Sequence, residues 1–430
     1  MAHPREQGGF HGSLSRRDFL RRSAGAALVL TGGEALLAAC GHASNPTRGP
    51  ATPGPSGTSK GPFPLARRDS PVTWPIYDDN PAIASGLQPE KNATLKIYNW
   101  SDYLYKQVVK DFAKEFDCKF EMSTFLGVDE ALAKIRTGQV DFDVYFPDPS
   151  LLGKLVTAKL LQPLNRDYLP NLTNVWPDLQ DPFYDKGSRY TVPYVIYTTG
   201  IGWRNDKVSE DIASLANPYE ILWNSKYKGK VHLFDDYRES ISLALMKNGI
   251  TDANTEDPAK IDIAKKDLIK MIGLVNVKLD ISDYTDLPEG KSWLHQAWSG
   301  DMVSAQYYMP KGVPVDVLSY WYPPSGQGVV GSDNIAIPRS AKNPVLAHHF
   351  LNWMLDSKQA YSNFVDFVGY QPPQNDINPD RLVSDEAVPA NLVTTVVRPQ
   401  DFEKGFALLE LSPTGDALWH EAYQEFAAGV

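Results

Sequence analysis

The chain has 430 residues, of which 42% are hydrophobic and 22% are charged. This length and composition are typical of a globular protein with about two compact units, and they exclude a fibrous or wholly disordered chain. The formal net charge is −10. Nucleic-acid phosphates require a basic surface, so the charge argues against nucleic acid as a partner. An acidic surface favours the approach of cations instead.

The first 39 residues have the features of an export signal. Residues 15–20, with the sequence SRRDFL, resemble a twin-arginine signal, and residues 37–40, LAAC, match the cleavage site of a bacterial lipoprotein. The intervening apolar stretch is interrupted by glycines and a glutamate, so it is too short to span a membrane. We therefore expect cleavage before Cys40, lipidation of its thiol, and a protein anchored outside the cytoplasm, in the periplasm or on the outer face of the cytoplasmic membrane.

Residues 40–93 are predicted to form a tether. Residues 45–57 consist mostly of Pro, Gly, Ser and Thr, which cannot bury enough apolar area to offset the entropy of ordering. The later part of the segment contains Trp74, Ile76 and Tyr77. We therefore expect this part to pack on the surface of the folded body.

The folded body opens with an alternation of strands and helices. Strand-like alternation of apolar residues and helical repeats every four residues follow one another from residue 94 to residue 146. A βαβαβ order predicts a parallel sheet, with a ligand beyond the carboxyl ends of the strands. The predicted strands are 94–98, 119–124, 142–146 and 231–234, and the predicted helices lie in 104–116, 128–136, after 236, and after 343.

Six segments resemble those of spermidine/putrescine-binding proteins of polyamine ABC importers, and they occur in the same order. The resemblance covers nearly all of residues 94–430. It implies an α/β fold of the periplasmic-binding-protein type, with two lobes, each a mixed sheet flanked by helices, and a ligand cleft between them. The implied lobes are 94–199 with 333–379, and 200–332 with 380–430. The segments are IYNWSDY (97–103), FDV (142–144), YTVPY (190–194), DDYRE (235–239), NIAIP (334–338) and GYQPP (369–373).

This resemblance implies a solute-binding protein that captures a polyamine and delivers it to an ABC importer permease. It also implies a monomer with no cofactor and no resident metal. A polyamine offers ammonium groups and a methylene stem, so its site needs carboxylates and aromatic faces. Closure of two lobes over the ligand would provide the enclosure that strengthens both kinds of contact.

The resemblance assigns site residues to both walls of the cleft. Without it, Asp236 and Glu239 also fit a helix capping box, the aromatic residues fit core positions, and Asp333 fits a turn. The implied residues are Trp100, Ser101, Tyr103 and Tyr370 on the first wall, Asp236 and Glu239 as carboxylates on the second, Tyr308 as an aromatic, Asp333 for an internal or distal amine, and, on a loose alignment, Gln400.

Two positions depart from the pattern of the family. Asp148, followed by Pro149 and Ser150, stands where the family has a small hydroxyl residue and then a tyrosine, and Gly331 stands where the family has tryptophan. We expect a weaker clamp on the methylene stem, an additional carboxylate at Asp148, and altered selectivity among amines. Trp321 or Tyr322 would be candidates to replace the missing tryptophan.

Other functions find weaker support in the sequence. The chain contains no G-x-S-x-G or H-E-x-x-H motif, and Cys118 lacks catalytic partners. We therefore expect no enzymatic activity, although carboxylate pairs leave a secreted hydrolase as an alternative. The adjacent Tyr307 and Tyr308 leave a second alternative, a ferric-ion-binding protein with phenolate ligands.

Overall fold

The computed structural model describes residues 64–137 and 141–430. The expected export signal, the lipidation site at Cys40 and the first part of the expected tether lie outside the described residues. No helix within the described ranges is long and apolar enough to cross a membrane.

One mixed sheet runs through the described part of the chain. Its strands are β1 (Thr94–Trp100), β2 (Lys119–Phe125), β3 (Val144–Tyr145), β4 (Thr191–Arg204), β5 (Val231–Phe234), β6 (Lys278–Asp280), β7 (Leu294–Trp298), β8 (Leu318–Trp321) and β9 (Val329–Ala336). Their order is β2-β1-β3-β9-β4-β7-β5-β6, and β8 pairs with β4. The strands at each end of the sheet pair in parallel, namely β1 with β2 and β3, and β5 with β6 and β7. In the middle of the sheet, β4 and β9 run antiparallel to their neighbours.

Helices and short 3-10 turns connect and cover the strands. The α-helices are α1 (Lys106–Glu115), α2 (Val128–Thr137), α3 (Leu152–Thr157), α4 (Pro177–Gln180), α5 (Tyr237–Lys247), α6 (Pro258–Val275), α7 (Asp283–Glu289), α8 (Ser299–Ser304), α9 (Pro344–Met354), α10 (Ser357–Asn363), α11 (Pro399–Lys404) and α12 (Pro413–Ala427).

The predicted βαβαβ order is confirmed by β1, α1, β2, α2 and β3, and β1 is parallel to both β2 and β3. The third strand is shorter than the predicted run of 142–146. The carboxylate of Asp143 accepts hydrogen bonds from the backbone amides of Lys96, Lys342 and Asn343. This side chain thereby joins β1 to the start of α9.

The 14-residue strand β4 connects two hydrophobic cores. Its first part pairs with β9, and its last part pairs with β7 and β8. Thr199 has Val329 on one side and Trp298 on the other, so the strand changes partners there. One core contains Ile97 and Val192, and the second contains Ile201. A third cluster includes Phe364, Leu287 and Leu382. The predicted lobe boundaries at 199, 333 and 380 stay a prediction.

The described end of the predicted tether packs along the body. Trp74 is 2% exposed, and its indole nitrogen donates to the carbonyl of Tyr184 at 2.8 Å. Arg189 donates to the carbonyl of Trp74 at 2.6 Å, and Asn80 donates to the carbonyl of Leu161 at 2.8 Å. Residues 64–93 therefore form part of the folded unit.

We expect Trp74→Ala to lower the free energy of unfolding by about 3 kcal/mol, because it empties a buried aromatic site and leaves the Tyr184 carbonyl without its donor. Ile76 is 46% exposed and lies two residues away, so Ile76→Ala serves as the control and should change little. Urea unfolding followed by circular dichroism measures both. Equal losses in the two variants would contradict the packing of this segment.

Candidate ligand-binding cleft

Asp236 is the N-cap of α5. Its Oδ1 accepts hydrogen bonds from the backbone amides of Arg238 at 2.8 Å and Glu239 at 3.0 Å. Such a cap satisfies amides at the start of a helix that have no partner within it. The capping interpretation of the sequence is therefore right for Asp236. The side chain remains partly exposed.

Glu239 does not complete the capping box. Its Oε1 accepts from the hydroxyl of Thr199 at 3.1 Å and from the indole nitrogen of Trp298 at 2.9 Å. Gln296 donates to the backbone carbonyl of Glu239 at 2.9 Å. The carboxylate therefore faces the point where β4 changes partners, and its side chain is 5% exposed.

Asp333 lies on β9 and contacts the first wall of the cleft. The hydroxyl of Tyr103 donates to its Oδ2 at 2.7 Å. The ring of Tyr103 meets that of Tyr370 edge to face, with 4.9 Å between the centroids. The structure thus brings together three of the residues that the sequence predicted, from β9, from the loop after β1 and from the segment after α10.

The electrostatics of these carboxyl groups are unusual. Burial raises the pKa of Glu239 to about 8 and the pKa of Asp333 to about 7. Burial also raises the pKa of Asp236. The negative charge of Asp148 raises all three pKa values further. We call Asp148, Asp236, Glu239 and Asp333 the acidic cluster.

A bound cation would favour the ionised forms of these acids. Hydrogen bonds already do so in part, because donation from Tyr103 and Tyr197 lowers the pKa of Asp333, and donation from Trp298 and Thr199 lowers that of Glu239. The pKa values stay raised because burial and the neighbouring negative charges outweigh these hydrogen bonds. The cluster is therefore chemically suited to an ammonium group.

Tyr197 lies among the four acids, and sequence reasoning missed it. Its pKa is raised well above the usual range, first by burial and then by the charges of all four members of the acidic cluster. Its ring meets that of Tyr370 edge to face at 5.9 Å. Tyr197 sits within a long apolar strand, where an aromatic residue has the same sequence pattern as a core residue.

Gly331 makes room for Tyr197. The two residues pair across β9 and β4, and a Cβ atom at Gly331 would lie 2.4 Å from Cζ of the tyrosine ring. The ring of Tyr197 thus covers the position of Gly331, where the resemblance expects tryptophan. Trp321 instead packs edge to face on Tyr219 at 5.0 Å, and Tyr322 donates to the carbonyl of Gly326.

A cavity of about 420 Å³ adjoins the acidic cluster. Asp148, Tyr197, Gly331 and Ser332 line it together with side chains from 177–186 and 402–409. Asp148 is held in place because its Oδ1 accepts from the amide of Ser150 at 2.7 Å. Tyr197 also bonds Asp333, so its ring connects the cavity with the acidic cluster.

Trp298 is a second aromatic residue that sequence reasoning missed. It stacks on Phe234 at 3.8 Å while donating to Glu239. Tyr308, the predicted aromatic, packs instead against Tyr284, whose hydroxyl lies 3.5 Å from Asp102 in the loop after β1. A role for Tyr308 in ligand binding stays a prediction.

The other predicted residues occupy more exposed positions. The ring of Trp100 is partly exposed and packs on Phe125 with 4.5 Å between centroids. Ser101 and Gln400 are exposed, the latter on α11. The hydroxyl of Tyr307 donates to the carbonyl of Val365 at 2.5 Å. That contact gives this phenol a backbone partner and weighs against the ferric-ion alternative.

Comparison with known proteins places the chain in a family. The family profile described as bacterial extracellular solute-binding protein matches residues 107–390. The spermidine/putrescine-binding periplasmic protein of Escherichia coli is 30% identical over 355 residues, which cover 81% of this chain and 96% of the relative. The chain therefore belongs to the family of bacterial extracellular solute-binding proteins.

Two further relatives show the range of the resemblance. A putrescine/cadaverine-binding protein of Pseudomonas aeruginosa is 29% identical over 68% of this chain and 82% of its own length. The spermidine/putrescine ABC transporter substrate-binding protein PotD of Streptococcus pneumoniae is 22% identical and superposes with a TM-score of 0.63, covering 78% of this chain and 99% of that protein. The predicted two-lobed α/β fold class is confirmed.

The packing of Tyr197 against Gly331 predicts a strong coupling between the two positions. Gly331→Ala should lower the free energy of unfolding by about 1–3 kcal/mol, because the new methyl group would overlap the ring. In a Tyr197→Ala background the same substitution should cost nothing. A double-mutant cycle from urea unfolding measures this coupling. Equal costs in both backgrounds would show that the ring does not fill this space.

Proposed function

We propose that this chain captures a small polyamine outside the cytoplasm and delivers it to an ABC importer. The observation that carries this proposal is the acidic cluster, in which buried carboxyl groups with raised pKa values stand beside Trp298 and Tyr197. The Escherichia coli relative, with 96% of its length covered, is named for spermidine and putrescine. The hydrolase and ferric-ion alternatives find no comparable support.

The ammonium ends of the ligand are assigned to carboxylates on both sides of β4. Glu239 and Asp236 hold one end, and Asp333 holds an internal or distal amine. A hydrogen bond to a charged group contributes about 1.5–3 kcal/mol, and an enclosed cation–π contact contributes about 2 kcal/mol. Trp298 and Tyr197 supply aromatic faces for the methylene stem. Trp100, Tyr103 and Tyr370 belong to the same wall in this proposal.

Selectivity is expected to depend on Asp148. Its charge acts on Asp236, Glu239 and Asp333, so the acidic cluster offers four carboxyl groups, more than two ammonium groups can pair with once the ligand displaces their protons. A ligand with three ammonium groups balances that charge better than a diamine of similar length. We therefore propose spermidine as the preferred ligand over putrescine.

Calorimetric titration with putrescine, spermidine, spermine and basic amino acids tests both the binding of amines and the preference for spermidine. Spermidine should bind more tightly than putrescine, and Asp148→Asn should narrow the difference between them. Glu239→Gln should weaken the binding of every amine by about tenfold or more, because it removes the charge of the most buried acid in the acidic cluster.

The control for these variants is Glu403→Gln, which removes the same charge from an exposed position on α11 and should leave affinity unchanged. Saturable heat from none of the amines would overturn the amine proposal. Recovery of the amines unaltered after incubation would separate binding from turnover by a hydrolase.

The two-lobed arrangement, with boundaries at 199, 333 and 380, is part of the proposal. The long strands β4 and β9 are the connections over which one lobe would rotate toward the other. Hinge closure of this kind is a common repertoire for binding proteins. Acids on opposite sides of the strands would then come together on one ligand.

We also propose that the mature protein is anchored by a lipid on Cys40 after export through the twin-arginine route. The support is the LAAC sequence at 37–40 and the arginine pair at 16–17. Residues 64–93 pack on the body and are therefore not part of the tether in this proposal.

Replacement of Cys40 tests the anchor. Cys40→Ser should move the exported protein from the membrane fraction to the soluble fraction and block metabolic labelling with a radioactive fatty acid, because the thiol that accepts the lipid is gone. Cys118→Ser is the matched control and should leave both readouts unchanged. Unaltered membrane retention and labelling of Cys40→Ser would exclude lipidation at this residue.

A further inference from the structure

Two histidines and an aspartate meet at one face of the parallel strands β6, β5 and β7. His232 on β5 pairs directly with His295 on β7, so their side chains lie on the same face of the sheet. Asp280 follows two positions after Lys278, the partner of His232, and therefore shares that face. One ligand atom from each of the three side chains lies within 4.8 Å of the other two.

The contacts within this group are short. Nδ1 of His232 lies 2.7 Å from Oδ2 of Asp280 and 3.4 Å from Oδ2 of Asp286. Nε2 of His295 lies 3.0 Å from Oδ1 of Asp280. His232 is 2% exposed, yet neither of its ring nitrogens makes an aligned hydrogen bond. A buried imidazole aimed at two carboxylates without such a bond calls for an explanation.

The hydrogen bond on the far side of His295 defines its tautomer. Nδ1 lies 2.5 Å from the backbone carbonyl of Gln296, and a carbonyl only accepts, so Nδ1 carries the proton. In the neutral ring, Nε2 then presents a lone pair to the Asp280 carboxylate. Two acceptors 3.0 Å apart repel each other unless a cation lies between them, and that cation is either a proton or a metal ion.

The donor set is one that a metal ion accepts. Zinc binds histidine nitrogen and carboxylate oxygen at about 2.0–2.2 Å in a tetrahedral arrangement, which separates ligand atoms by roughly 3.3–3.6 Å. The separation of 3.4 Å between His232 and Asp286 lies in this range, whereas the separations of 2.7 and 3.0 Å between Asp280 and the two histidines are hydrogen-bond distances. Zinc binding would therefore move the Asp280 carboxylate away from both imidazoles by a few tenths of an ångström, to roughly the tetrahedral separation. A histidine whose other ring nitrogen donates to a carbonyl is also the arrangement that metal-binding histidines adopt.

We propose that His232, His295 and Asp280, with Asp286 as the fourth ligand, form a Zn²⁺ site in the body of the protein. The site is separate from the acidic cluster and does not rest on the proposed amine-binding function. The two sites are structurally linked, because Gln296 follows His295 and donates to the carbonyl of Glu239. Zinc would fix β7, which ends at Trp298, and β5, which leads into the helix that carries Glu239.

Metal content and cobalt spectroscopy test the site. After EDTA treatment and dialysis against micromolar ZnCl₂, the wild-type protein should retain about one zinc per chain by mass spectrometry. Co²⁺ should give the visible absorption bands of a tetrahedral site and be displaced by Zn²⁺. Zinc should also raise the thermal midpoint of the EDTA-treated protein. These measurements need no variant, so a substitution that prevents folding does not affect them.

Variants assign the ligands. His295→Gln and Asp280→Asn should each lose the bound zinc and the cobalt bands, while His349→Gln, which removes a histidine from α9, should keep both. Retention of stoichiometric zinc by both cluster variants would overturn the assignment. Wild-type protein with no stoichiometric zinc and no tetrahedral cobalt spectrum would show that protons alone hold this cluster together.

Discussion

The rest of the site depends on one constraint, the crowding of carboxyl groups around Thr199, where β4 passes from pairing with β9 to pairing with β7. Asp236, Glu239 and Asp333 approach this point from α5 and β9, and the charge of Asp148 acts on all three. Burial, and after it the repulsion between like charges in a region of low dielectric, makes these acids hold protons to higher pH than they would in water. Tyr103 donates a hydrogen bond to Asp333, and Thr199 and Trp298 both donate to Glu239.

The fold distributes these acids over elements that belong to different cores. The first part of β4 packs with β1 and α9, and its last part packs with β5 and α6. A ligand that contacts acids from both cores stabilises the arrangement of the two cores in which all of these contacts are made. The proposed delivery to an importer requires such a distinction between liganded and ligand-free protein. The acidic cluster is thus placed where binding energy can act on the whole body.

Local sequence patterns predicted much of the fold and part of the site. The period of apolar residues located β1, α1, β2 and α2, because each element buries one face. The start signal at Asp236 was correctly interpreted as a helix cap, whereas the ligand-binding role that the family resemblance assigns to Glu239 stays a prediction. Tyr103, Asp333 and Tyr370 were named from the same resemblance, and the structure brings them together.

The rest depended on tertiary contacts that no local pattern encodes. Tyr197 and Trp298 lie in buried strands, where an aromatic residue that serves a ligand cannot be told from one that fills the core. Gly331 was interpreted as a loss, because its strand partner Tyr197 is more than a hundred residues away in the chain. The His232, His295 and Asp280 group has no motif spacing, since three separate strands assemble it.

The central claim is that an amine supplies the positive charge that the acidic cluster lacks, and proton release on binding tests it most directly. With pKa values of about 8 for Glu239 and about 7 for Asp333, the ligand-free protein retains protons near neutral pH. An ammonium group lowers those pKa values, so binding must expel protons and strengthen as pH rises. Spermidine titrations in buffers of different ionisation enthalpy should show proton release at pH 7, and affinity should increase about tenfold or more between pH 6 and pH 8. Binding without proton release, at an affinity independent of pH, would contradict the account.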